Sequence, residues 1–279
     1  MTVSGVDDII YEDLKTRFSI ENHRGGFAIE KENKYGVPAL DKANRIINLV
    51  ASQPSSLKLM DISRELDIHK SSMFSLLHTM EKLGWLKRDL GDTYSLGSFF
   101  GRIGSVYFRQ FDLISDFHRE ASIVKQRVEE TFQLGRLEGD QVFYLAKEEA
   151  PSPIKLASEP GMCWPASVTA LGKAMLSVKT EEELIALYPE EQLPNFTTNT
   201  ITTRSVLLNK LKDTQLAGYA LDLEEAVNGF SCVAAPIYGS NNEVIAAVSC
   251  SIPQHRWESK QELAKREVLQ LAKLLSHRQ

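Results

Sequence analysis

Cysteine is scarce in this 279-residue chain, which holds three, at Cys163, Cys232 and Cys250. Their spacing makes neither a disulfide framework nor a zinc site, and it suits a reducing compartment. No apolar run approaches the ~20 residues that a membrane-spanning helix needs. The opening text, MTVSGVDD, lacks the basic and apolar regions of a secretory signal, so the expected location is the cytoplasm, with no membrane partner. Catalytic signatures are missing as well: there is no G-x-S-x-G elbow, P-loop or dinucleotide fingerprint. None of the six histidines (His23, His69, His78, His118, His255 and His277) forms a metal-type pair, and Cys232 has no histidine near it in sequence. These absences argue against an enzyme, and no cofactor or metal is expected. An excess of positive charge is also lacking: the net charge is -5, which argues against non-specific coating of nucleic acid.

What is present begins with residues 57–97. A short helix at 59–66 places Leu59, Ile62 and Leu66 on one face, and Asp67 to Lys70 form a tight connection. A second helix follows, with Met73, Leu76, Leu77 and Met80 on its apolar side and Gly84 as its stop. Trp85–Arg88 and Thr93–Leu96 then read as two short strands around a turn. Two helices joined by a tight turn and followed by a hairpin fit a helix into a DNA major groove. The outer face of the second helix carries His69, Lys70, Ser71, Ser72, Ser75 and His78, which are small, polar or basic enough to reach phosphates and base edges. The other use of such a fold is a protein-interaction module. Charge separates the two weakly, since residues 37–100 hold eight Lys/Arg against seven Asp/Glu, a net of +1, leaving -6 for the rest.

The length suits two domains, and the 43% apolar content allows a sizeable core in each. Residues 1–36 are polar and aperiodic and read as an N-terminal extension. Residues 37–97 form the winged helix-turn-helix, opened by a supporting helix with Leu40, Ala43, Ile47 and Val50 on one side and ended by Pro54. Residues 98–112 read as a linker helix burying Phe99, Phe100, Ile103, Tyr107 and Phe108, more apolar surface than an isolated helix tolerates, which implies pairing with a second subunit. Residues 113–279 alternate strand and helix. Helices are expected at 113–132, 168–178, 181–188, 203–217 and 259–276. Strands are expected at 134–137, 142–146, 154–157, 162–164, 219–223, 232–238 and 244–252. The fold class is α+β, with helices covering one antiparallel sheet.

Two segments of the second domain have the chemistry to hold a ligand. Pro165 forces an extended entry, Ser167 is a good N-cap, and the first amides of the helix after it lack intrahelical partners, as an anion requires. Routine capping explains the same residues. In the second segment Asp222 ends a strand and can accept a ligand hydroxyl, while Cys232 is a weak thiol donor. Their plainer uses are a loop cap and a small core residue. Ser249 and Ser251 lie two apart on one strand, so they share a face and either line a cavity or meet solvent.

The order of these segments resembles the IclR family of bacterial transcriptional regulators over roughly residues 38–277. The matching stretches are DISRELDIHKSSMFSLLHTMEKLGWLKRD, YSLG, PASVTALGKAML, GYALDLEEAVNGFSCVAAPI and VIAAVSCSIP. The resemblance implies a winged helix-turn-helix, a dimerising linker helix and a GAF-like effector domain. It implies a repressor or activator that binds double-stranded promoter DNA as a homodimer or homotetramer and answers to a small-molecule effector, such as an organic or sugar acid. The residues expected to meet DNA are His69, Lys70, Ser71, Ser72, Met73 and Ser75, with Lys87, Arg88 and Thr93 of the wing. By the same resemblance Ala170 and Leu171, with Asp222, Cys232, Ser249 and Ser251, hold the effector between apolar walls from Trp164 and Phe230. Three departures stand out: Ser75 and Ser95 replace common arginines, and Ser167 replaces a common histidine. The alternative reading is a ligand-binding or protein-interaction module that has lost DNA recognition.

Overall fold

A computed structural model of the chain describes residues 37–108, 112–152, 156 and 158–276. The N-terminal extension at 1–36, the end of the expected linker at 109–111, the side chain of Phe108 and most of the strand expected at 154–157 lie outside the described residues. The chain divides into two compact units at residues 110 and 111.

The first unit opens with helices α1 (Pro38–Ser52), α2 (Leu59–Glu65) and α3 (Lys70–Lys82). The antiparallel hairpin β1 (Leu86–Arg88) and β2 (Tyr94–Leu96) and helix α4 (Ser98–Phe108) follow. Helical spacing puts Ile46, Leu49 and Val50 of α1, Ile62 of α2, and Met73, Leu77 and Met80 of α3 into one core with Leu86 and Tyr94 of the hairpin. The α2–α3 turn is pinned from two sides: Ser63 Oγ donates to the Ile68 carbonyl at 2.6 Å, and the Arg45 guanidinium donates to the Leu66 carbonyl at 2.9 Å. Gly84 ends α3 with φ +71°, and Gly97 packs so tightly on its carbonyl that a Cβ there would sit 2.0 Å from the oxygen.

The second unit holds one six-stranded sheet, antiparallel throughout, in the order β5-β4-β3-β8-β7-β6. Its strands are β3 (Thr131–Glu138), β4 (Gln141–Glu148), β5 (Cys163–Pro165), β6 (Ala220–Leu223), β7 (Phe230–Tyr238) and β8 (Val244–Pro253). Its helices are α5 (Asp112–Val128), α6 (Ala170–Leu176), α7 (Glu181–Leu187), α8 (Arg204–Ala217) and α9 (Gln254–Ser276). Alternation along β8 decides which face sees what. Val248, Cys250 and Ile252 pack beneath Phe117 and Val124 of α5 and Val268, Leu271 and Leu275 of α9. Ser249 and Ser251 face the opposite side, where α6 lies against β3, β7 and β8.

Helices α5 and α9 differ most from the sequence expectation, and the helix expected at 168–178 spans only Ala170–Leu176. Helix α5 stops at Val128, not near Phe132, because Glu129 adopts a left-handed φ of +58° and Phe132 is already inside β3. Helix α9 starts at Gln254, five residues before Ser259: the Gln254 amide donates to the Gly229 carbonyl at 2.8 Å, so strand passes directly into helix.

Candidate functional site

Each unit presents its own candidate surface. On α3, residues 71, 74, 75 and 78 follow the i, i+3, i+4, i+7 spacing of one helical face, and all four are exposed. Lys70 and Ser72 are exposed beside them, and His69 occupies the N-cap position without a side-chain cap bond. The first amides of α3 are thus open to a phosphate. Met73 is a correction: it is 0% exposed and belongs to the helical core, because it shares the inward face with Leu77 and Met80. It packs, and cannot reach a base.

The wing also differs from expectation. Lys87 and Arg88 are exposed, yet each faces a carboxylate of the same hairpin, Lys87 on Asp89 at 3.1 Å and Arg88 on Asp92 at 2.8 Å. Asp89 further accepts from Ser55 Oγ at 2.9 Å, and hydrogen bonds from Ser95, Ser55 and Lys87 hold its carboxyl below the usual range. Ser95, at a position where the resemblance leads one to expect an arginine, thus stands beside the Asp89 carboxyl. Thr93 is half-buried at the turn end of the hairpin and bridged to Lys58. In α4, Phe99 and Phe100 pack on Trp85 with ring centroids 5.7 and 6.4 Å apart, whereas Ile103 is 53% exposed and Val106 is also exposed. The expected burial of Ile103 is not met within one chain.

In the second unit a hollow opens between the sheet and the start of α6. Trp164, Ala170, Leu171, Asp222, Phe230, Cys232 and Ser249 all line it, together with Gln133, Tyr144, Thr169 and Val227. Ser251 does not line this hollow; it borders a neighbouring one and reaches the first through hydrogen bonds. Cys232 Sγ donates to Ser251 Oγ at 3.2 Å, and Ser251 Oγ donates to Gln133 Oε1 at 3.0 Å. Ser249 Oγ also donates to Gln133 Oε1, at 3.3 Å, and the Gln133 amide bonds Ser158 Oγ. Strands β3, β7 and β8 are laced into one polar wall by this chain, and each member is buried.

Close approach of α6 builds the opposite side. A Cβ on Gly172 would lie 2.1 Å from the Ala166 carbonyl oxygen, so only glycine lets the helix settle there. Thr169, not Ser167, is the N-cap: its Oγ1 accepts from the Gly172 amide at 3.1 Å. Pro165 ends β5, and Ser167 is buried in the turn that follows.

The floor carries charge. Asp222 Oδ1 accepts from the Glu225 amide at 2.7 Å and from the Ala226 amide at 3.4 Å. Burial raises its pKa to about 7; the Lys173 ammonium opposes the rise and the Glu225 carboxylate adds to it. Burial likewise pushes the Cys232 thiol up, with Asp222 adding to the effect, so the thiolate is disfavoured. Tyr144 is pushed up chiefly by burial. Sequence reasoning missed Gln133, Tyr144, Lys173 and Glu225. Gln133 left a trace, as an amide between the apolar Phe132 and Leu134; the other three left none. Among the described residues no group of three or more His, Cys, Asp or Glu could hold a metal ion, and no helix is long and apolar enough to cross a membrane.

A winged helix-turn-helix followed by an α+β domain with a hollow of mixed apolar and polar lining defines a class: effector-responsive transcriptional regulators. Comparison with known proteins narrows it. Residues 39–90 match the IclR helix-turn-helix domain, and residues 106–277 match the bacterial transcriptional regulator IclR C-terminal domain. The chain belongs to the IclR family of bacterial transcriptional regulators. It is 31% identical over 239 residues to the HTH-type transcriptional regulator XynR of Escherichia coli (strain K12), covering 85% of this chain and 95% of that protein. The crystal structure of the Thermotoga maritima IclR matches with a TM-score of 0.69 and 27% identity, over 86% of this chain and 99% of that one. An IclR homolog from Microbacterium hydrocarbonoxydans, complexed with 4-hydroxybenzoate, shares the fold at a TM-score of 0.71 and 21% identity, over 86% and 100% of the two chains.

Proposed function

We propose that the hollow beneath α6 is the effector site, that its ligand is a small organic acid, and that occupancy changes how a homo-oligomer holds promoter DNA. The observation that carries this reading is the pairing of an apolar wall, Trp164 and Phe230, with the buried polar wall of Gln133, Ser249 and Cys232 and the carboxyl of Asp222. Pockets of this composition bind small molecules, with the few polar groups fixing orientation. At a pKa of about 7, Asp222 presents both protonation states near neutral pH. Its carboxyl can donate to a ligand carboxylate or accept from a ligand hydroxyl. The 4-hydroxybenzoate bound by the structural neighbour is an aromatic acid carrying both groups.

On the DNA side, Lys70, Ser71, Ser72 and Ser75 read bases or adjacent phosphates from α3, with His69 at its start and the wing residues Lys87, Arg88 and Thr93 beside the backbone. The domain division runs 37–97, 98–112 and 113–279, after an extension at 1–36. The exposed Ile103 and Val106 of α4 supply apolar surface for a second copy. The protein works in the cytoplasm and catalyses no reaction. Gel shifts on the intergenic DNA upstream of its own gene, with and without acids that raise the melting temperature, test the whole reading. A ligand that binds but leaves DNA affinity unaltered would defeat effector control, since an effector acts only through unequal affinity for two arrangements. Asp222→Ala and Cys232→Ser variants that keep every hit would displace the site.

A further inference from the structure

We propose that Phe74 reads the 5-methyl group of a thymine in the major groove, making this ring the apolar sequence-reading contact of α3. The inference rests on the DNA-binding reading and goes beyond it by naming the residue and the base. Phe74 is 60% exposed in the middle of the outward face of α3, between Ser71, Ser75 and His78. Its ring lies parallel to that of His78, at an interplanar angle of 4° and a centroid distance of 6.1 Å. A stacked neighbour one turn away restricts the ring before any partner arrives, which lowers the ordering cost of contact.

Base-edge chemistry leaves this ring one natural target. No arginine stands on α3, whose text is KSSMFSLLHTMEK, so the bidentate guanine contact of a guanidinium is missing. Lysines occur only at its two ends, Lys70 and Lys82. Ser75 spends its own hydroxyl proton on the Ser71 carbonyl at 3.2 Å, which leaves it an acceptor. Phe74 is the one large apolar side chain on this outward face, and the major groove offers one apolar mark, the methyl of thymine.

The test uses full-length protein and duplexes it enriches from a random-sequence pool. Each thymine of an enriched duplex is replaced in turn by deoxyuridine, which removes the methyl and nothing else, and affinity is read by fluorescence anisotropy. The expected result is one position per half-site where deoxyuridine weakens wild-type binding about fourfold, the transfer value of one methyl-sized group. Phe74→Ala should bind more weakly overall and show no loss at that position, while Phe74→Leu keeps part of it. Because Phe74 is exposed, both variants should unfold with the wild-type midpoint. A wild type indifferent to every deoxyuridine, or a Phe74→Ala variant with the same loss at the same base, overturns the assignment. A bent duplex without methyl dependence also overturns it, by making the ring a wedge between base steps. Failure to enrich any duplex is a separate result, which removes the DNA-binding reading itself.

Discussion

Lys173 Nζ lies 2.5 Å from Glu225 Oε1, with the lysine side chain 0% exposed and the glutamate nearly so. The pair joins α6 to the loop after β6, the two segments that frame the hollow. The second carboxylate oxygen, Glu225 Oε2, is buried and finds no hydrogen-bond partner among the described residues. The Thr200 hydroxyl holds the same loop by donating to the Glu225 carbonyl at 2.7 Å. Breaking a buried pair strands a charge, which costs about 3–5 kcal/mol, whereas replacing both partners by apolar groups is often close to neutral. Lys173→Met should therefore destabilise by several kcal/mol in urea unfolding, and Lys173→Met with Glu225→Met should recover most of that loss. Equal losses in the single and double variants would show that the ion pair does not set the stability of this corner.

Asp222 makes stability depend on pH in a defined sense. Its folded value of about 7 lies above the reference value of 3.8. The native state keeps the proton over this window while the unfolded chain releases it, so the contribution is complete below about pH 4 and fades as pH rises through about 7. Asp222→Asn mimics the protonated form and should lack this slope. Unfolding free energies of variant and wild type, compared from mildly acidic to mildly alkaline pH, should diverge in the variant's favour as pH rises. Parallel curves would place the ionised form of Asp222 in the native protein at neutral pH. Acid effectors should follow the same trend, binding more tightly below pH 7 than above it.

Much of this architecture was legible because burial and local chemistry repeat in simple patterns. The period of 3.6 marked Ile62, Leu77 and Met80, and the alternation on β8 separated Ser249 and Ser251 from Val248 and Cys250. Met73 was misread because it stands in sequence among the serines expected to meet DNA, although the helical period had already put it on the apolar side with Leu77 and Met80. Lys173 was invisible for a different reason. A lysine in a short helix is ordinarily solvated, and only the loop after β6, 52 residues away in sequence, supplies its counter-charge. The wing pairs Lys87–Asp89 and Arg88–Asp92 are local, and both signs of charge lie within residues 87–92 of the sequence. Phe74 was passed over because a lone aromatic on a helix looks like core until its neighbours at 73 and 77 fill the inward face.

Gly172 ties the hollow to backbone packing. A Cβ at this position would meet the Ala166 carbonyl oxygen at 2.1 Å and its Cα at 2.3 Å, both main-chain atoms with no rotamer to yield. Gly172→Ala should thus cost more than the about 1–3 kcal/mol typical of overpacking a side-chain site. Thermal unfolding measures the loss, and ligand-induced shifts in the same experiment should vanish, because α6 must retreat from Trp164 and Tyr144. A variant that melts and binds like wild type would mean that α6 and the Ala166 turn sit farther apart than described.

The wing offers a gain of function by charge removal. Arg88 is held by Asp92 at 2.8 Å, and both side chains are largely exposed, so the pair itself contributes little to stability. Its consequence lies with DNA, since a guanidinium already facing a carboxylate releases fewer counterions from phosphate. Asp92 adopts φ +66°, a left-handed conformation that asparagine tolerates, so Asp92→Asn frees Arg88 without straining the turn. In a homodimer the variant should bind its duplex more tightly at low salt. The plot of log affinity against log salt should also steepen by about 0.9 per protomer, the value for one added phosphate contact. Arg88→Ala placed in the same background should cancel both changes. An unaltered slope in Asp92→Asn would mean that the wing stays clear of the backbone and that α3 alone grips the DNA.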